Sequence, residues 1–176
     1  MKTKLMLSVV AALVLFFWGF ASWIVLPWHQ AVTQQFTNEV AVAQVLKEYA
    51  PQRGVYYLPY FPEKHGPDQV GAFVNLLPHG TTMNMGMHLA LDFAAQFISA
   101  FLLLTLLDAG MKTGTGMSYS CKVGAFSLAG LLIGFASHVL YWNWFCFPTP
   151  YIVVAIADVW IGWTLVGLAL AKLIKS

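Results

Sequence analysis

The chain has 176 residues, 59% of them hydrophobic and 9% charged, with a mean hydropathy of +0.70 and a formal net charge of +2. Soluble domains carry roughly 25% charged residues, so this composition excludes an ordinary soluble protein and points to a membrane one. The small, scattered charge, with no Walker loop, GxGxxG turn or basic stripe, excludes nucleotide and nucleic-acid binding.

After "MKTK" comes an apolar run from Leu5 to Leu26. About 20 helical residues cross the hydrocarbon core, so this run is long enough to span. "GFA" at Gly19 to Ala21 is a poor small-residue cleavage site, and the run continues through "SWIVLPW" to Trp28. It thus exceeds the roughly 7 to 15 residues of a signal-peptide core, and we expect an uncleaved anchor.

Residues 27–86 form one long loop with structure of its own. Thr37 or Asn38 can cap a helix in "TNEVAVAQVLKEYAP", where Val42, Val45, Leu46 and Tyr49 share a face and Pro51 ends the element. "GVYYLPYF" and "QVGAFVNLL" read as two strands or a hairpin, separated by the turn-rich "PEKHGPD". His29 and His65 fall in this loop and read as solvated. The expectation is a small cap, amphipathic enough to rest on the helices or on lipid headgroups.

Three further runs can span: Met87 to Leu107, Val123 to Trp142 and Tyr151 to Ile174. "DAGMKTGTGMSYSCK" reads as a Gly-rich connector. The predicted fold is therefore an all-α membrane protein of four transmembrane helices, with a small mixed α/β extracytoplasmic cap between helices 1 and 2. Its predicted parts are helix 1 (1–26), the cap (27–86) and helices 2 to 4 (87–176).

Lys2, Lys4, Lys112, Lys122, Lys172 and Lys175 fall on one side of these spans, and Lys47, Arg53 and Lys64 in the long loop on the other. The positive-inside rule then puts both termini in the cytoplasm, with a bacterial inner membrane as the expected setting and the cap outside. Cys121 and Cys146 flank the third span, about 37 Å apart along a helix, which excludes a disulfide between them.

Ionisable groups inside spans are costly, about 2.5 to 3.5 kcal/mol at mid-helix, and normally face a partner in the protein interior. Asp92, His138 and Asp158 qualify, with His88 nearer the interface. Counted inward from the outer helix ends, they lie at roughly 9, 6 and 12 Å, so three helices bring polar groups to one layer. His88, Asp92 and Gln96 follow an i, i+4, i+8 row on one face. On the third span Gly124, Ser127, Gly130, Gly134 and Ser137 or His138 form a small-residue stripe suited to close helix approach. Asp158, Gly162 and Ala169 repeat it more weakly on the fourth.

Several chemistries fit this set. A hydrogen-bonded structural cluster of His88, Asp92, Gln96, His138 and Asp158 would tie the helices together or bind a ligand. Two imidazoles and two carboxylates from His88, Asp92, His138 and Asp158 suit zinc or iron, although no HExxH or CxxC spacing enforces it. A buried His–Asp pair could serve acid–base chemistry on a lipid-type substrate. A proton or ion relay lacks polar steps below Gln96. Met83, Met85 and Met87 beside His88, with His79 able to join, offer soft ligands for copper, against the plainer role of flexible apolar filler. Trp18, Trp23, Trp28, Trp142 and Trp144 read as an interfacial belt, and Trp160 and Trp163 lie deeper and need partners for their indoles. The functional expectation is an accessory or partner-binding membrane component, in contact with lipids and with other membrane subunits. The alternative is a membrane-embedded, metal-dependent enzyme working on a lipid at the outer leaflet.

Overall fold

The computed structural model describes residues 1–60, 68–77, 80, 84–112 and 116–174. Within these, four helices are long and apolar enough to cross a membrane. They are α1 (Lys2–Phe20) with its π-helical extension Ala21–Val25, α4 (Met85–Lys112), α5 (Tyr119–Phe145) and α6 (Thr149–Leu170). Between α1 and α4 lie a short helix α2 (Trp28–Ala31), a longer one α3 (Glu39–Tyr49) and the strands β1 (Gly54–Leu58) and β2 (Ala72–Leu76). The expected fold class is thus found; the second and third spans extend a few residues past their apolar runs at both ends, whereas α6 begins two residues earlier than predicted and stops at Leu170, short of Ile174.

Two compact units result, one of residues 1–33 with 84–176 and one of residues 34–83. In the larger unit α1 packs against α4 and α6, and α6 packs against α5. Neither α4 with α5 nor α4 with α6 packs comparably, so the helices lie side by side in the order α4, α1, α6, α5.

Small residues make these contacts possible, because helices in lipid gain little from apolar burial and depend on close approach. A Cβ on Gly130 of α5 would sit 2.6 Å from the Trp163 Cβ of α6, and one on Gly162 would sit 2.8 Å from the Trp18 ring of α1. The predicted stripe on α5 therefore holds at Gly130 and Gly134, while Gly124 faces open space. Ser127 adds a polar contact, accepting from the Trp160 indole at 2.8 Å with the Thr164 hydroxyl 3.0 Å away.

The core lies toward one end of this unit. Leu7 and Ala11 of α1 meet Ala100 and Leu104 of α4, Phe126 of α5 and Val166 and Leu170 of α6. The same end carries the lysines: Lys4 pairs with Asp108 at 3.1 Å, buried Lys122 donates to the Ile174 carbonyl at 2.7 Å, and Lys172 lies over the Tyr119 ring. At the other end the helices are less tightly packed, and the polar residues of the spans are found there.

In the smaller unit Asn38 caps α3, its side chain accepting from the Ala41 amide at 3.0 Å. Strands β1 and β2 pair antiparallel, with Gly54 opposite Leu76 and Leu58 opposite Ala72. The apolar face predicted for α3 is partly covered: Val42 and Leu46 are half-buried, while Val45 and Tyr49 are exposed. The turn at 61–67, His65 included, lies outside the described residues.

Candidate functional site

The site begins where α1 ends. Residues 21–25 wind as a π-helix, with the Leu26 amide donating to the Ala21 carbonyl at 2.9 Å. Pro27 comes next, and the residue before a proline is pushed out of the helical region, so Leu26 is extended and the helix stops. A π-turn inserts one residue and rotates the chain beyond it, a device often found at functional positions. Its consequence here is that α2 folds back beside α1 and delivers His29 to α6.

His29 is 6% exposed, which corrects the reading of a solvated loop histidine. Its Nε2 lies 3.2 Å from Asp158 Oδ2 and 3.1 Å from Ser22 Oγ. With the proton on Nε2, that N–H donates to the carboxylate. The Trp28 indole donates to both the carbonyl and the hydroxyl of Ser22 at 3.0 Å. Trp23 stacks on the imidazole with 3.9 Å between centroids, and Trp18 donates to the Asp158 carbonyl at 2.9 Å. Three tryptophans expected to form a belt therefore build the walls of a polar cluster.

Serine, histidine and aspartate in contact suggest a hydrolytic triad, and the geometry argues against one. A triad histidine uses one ring nitrogen toward the hydroxyl and the other toward the carboxylate. Here Nε2 meets both, and Ser22 is fully buried, so its oxygen cannot reach a substrate carbonyl.

The other predicted residues are divided. Asp92 and Gln96 pair on α4, the Gln96 amide donating to Asp92 Oδ2 at 2.8 Å. His138 on α5 is half-buried, without a hydrogen bond among the described residues. His88, Met85 and Met87 are exposed in the first turns of α4, which Asn84 caps by accepting from the Met87 amide at 3.1 Å. Met83 and His79 lie outside the described residues. Among the described residues no three His, Cys, Asp or Glu side chains converge as a metal site would require, so His88, Asp92, His138 and Asp158 do not meet as one ligand set.

Asp92, Gln96 and Asp158 instead line one cavity of about 570 Å³. Apolar and aromatic residues of α1, α4 and α6 supply most of its wall, and Ile133 of α5 touches it. Phe20, Trp23, Ile24 and Leu89 on its rim are exposed, so it opens sideways from the helices. Two buried oxygens, Asp158 Oδ1 and Gln96 Oε1, have no hydrogen-bond partner among the described residues. Most buried polar atoms in folded proteins are satisfied, so each such orphan calls for an explanation.

The four spanning helices and the buried His29–Asp158 pair make this a polytopic membrane protein with an internal polar cluster. Compared with protein-family models, curated proteins and solved structures, the chain finds no match in any of the three.

Proposed function

We propose that this protein is an accessory membrane component that holds another molecule against the cavity between α1, α4 and α6. The observation that carries the reading is Asp92, an exposed carboxylate well inside a spanning helix, whose one hydrogen-bond partner among the described residues is Gln96 of the same helix. Left against hydrocarbon such a group is costly, and a bound molecule removes that cost. The His29–Asp158 pair, fixed by Trp18, Trp23 and Trp28, supports the opposite wall. Asp92, Gln96 and Asp158 are the binding groups in this reading, and His88 and His138 lie outside the cavity lining. An enzyme acting on a lipid is the weaker alternative, since the Ser22–His29–Asp158 geometry lacks an accessible nucleophile.

The setting we propose is a bacterial inner membrane, with both termini cytoplasmic and residues 27–86 outside. The lysines gathered near the chain ends support that orientation.

Photo-cross-linking in native membranes tests the binding role. A benzoyl-phenylalanine placed at Phe20, on the cavity rim, is expected to yield one discrete adduct that Asp92→Leu abolishes. The same probe at Leu132, an exposed position on α5, is expected to give only diffuse lipid labelling. Identical diffuse labelling at both positions would sink the proposal.

A further inference from the structure

The chemistry of the cavity narrows the range of guests it can hold, given the binding role proposed for it. Its ionisable groups are the two carboxylates of Asp92 and Asp158, and no Lys or Arg is among the lining residues. One Gln96 amide N–H goes to Asp92 and the Trp18 indole to the Asp158 carbonyl, and the neutral donors of Trp23, Trp163 and Ser99 also lie in the wall. Asp158 Oδ1 and Gln96 Oε1 remain buried with no donor among the described residues. Asp158 is paired with His29, but Asp92 has no ion-pair partner among the described residues. The guest must therefore bring N–H or O–H donors, and a positive charge suits it best in a site of low dielectric.

The rest of the wall specifies the remainder of the guest. Phe16, Phe20, Trp18 and Trp23 line the cavity and offer ring faces that attract a cation. Leu15, Val159 and Trp163 give it an apolar surface fit for a hydrocarbon chain. Asp92 and Asp158 lie 7 and 9 positions into α4 and α6, at the loosely packed end, while Leu15, Ser99 and Trp163 lie further toward the core. Head and tail sites are thus arranged in sequence along the helix axes. Since the rim consists of exposed apolar residues of spanning helices, a guest enters from the bilayer and need not cross water.

We infer that the cavity binds a primary-ammonium amphiphile, an alkyl-chain lipid whose protonated amine is held by the Asp92 carboxylate. The exposed Asp92 carboxylate favours a head bearing N–H over a quaternary one, which has a charge but no proton to donate.

Native mass spectrometry of the full chain in maltoside detergent at pH 7 tests this, with dodecylamine, dodecyltrimethylammonium, dodecanol and dodecyl sulfate as probes. The expected result is one dodecylamine per chain, bound at least about tenfold more tightly than the other three. Asp92→Asn should weaken it by about tenfold or more, and Ala95→Phe, which fills the cavity, should abolish it. Gln96→Glu adds a second carboxylate beside Asp92 and should tighten dodecylamine but not dodecanol, which provides the same test should Asp92→Asn fail to fold. Equal binding of dodecanol or dodecyl sulfate, blocked by Ala95→Phe, overturns the ammonium assignment and leaves the binding role standing on the cross-link at Phe20. Dodecylamine binding that Ala95→Phe leaves intact overturns the assignment too, since the amine then sits elsewhere.

Discussion

His29 and Asp158 are 129 positions apart in the chain and 3.2 Å apart in space. Their side chains are 7% and 16% exposed, so removing either leaves the other buried without its counterpart. Breaking a buried pair in that way costs about 3 to 5 kcal/mol, and partial exposure of Asp158 places this one near the lower figure. His29→Ala is therefore expected to lower unfolding free energy by about 3 kcal/mol, read as a shift in a denaturing-detergent titration. Asp158→Asn should cost less, about 1 kcal/mol, because the amide oxygen still accepts from Nε2–H. Equal losses from the two variants would contradict the assigned hydrogen bond.

The elements hold together by close approach at a few glycines. Gly130→Ala drives a Cβ to 2.6 Å from Trp163 Cβ and should destabilise by about 1 to 3 kcal/mol, measured by the same titration. Gly124→Ala, on the same helix and facing open space, should be neutral or gain up to about 1 kcal/mol from helix propensity. A similar loss at both positions would show that packing against α6 is not the cause. In the smaller unit Asn38→Ala removes the cap of α3 and should cost about 1 kcal/mol, seen as faster amide exchange at Ala41.

At the level of the molecule, the order α4, α1, α6, α5 leaves α4 resting chiefly on α1. The core and the Lys4–Asp108 pair close that contact at one end, and the cavity separates the helices at the other. The orientation proposed in the membrane can be read from the two cysteines, both free and exposed at opposite ends of α5. In intact spheroplasts an impermeant maleimide should label Cys146 and leave Cys121 unmodified until the membrane is opened. The reverse pattern would place the termini outside.

Much of this was legible along the chain, because it depends on local properties. Apolar runs of sufficient length give the four spans, Asn38 gives the cap of α3, and alternating β-prone runs give the strand pair. Asp92, His138 and Asp158 stand out as ionisable groups where such groups are expensive. Partnership is another matter, since a residue's period says which face it occupies and not which helix stands opposite. His29 lies just past a span, in a segment that looks like loop, and nothing nearby announces that a π-turn and Pro27 fold it back onto Asp158. A hint was present in the need of Asp158 for a partner at a depth where the spans carry no Lys or Arg. The tryptophans of α1 misled for the same reason: an indole can face lipid or a polar cluster, and the choice rests on which neighbours the helix order brings. Burial and pairing are properties of contacts between distant segments, so the cavity and its two unsatisfied oxygens emerge only when α1, α4 and α6 are packed together.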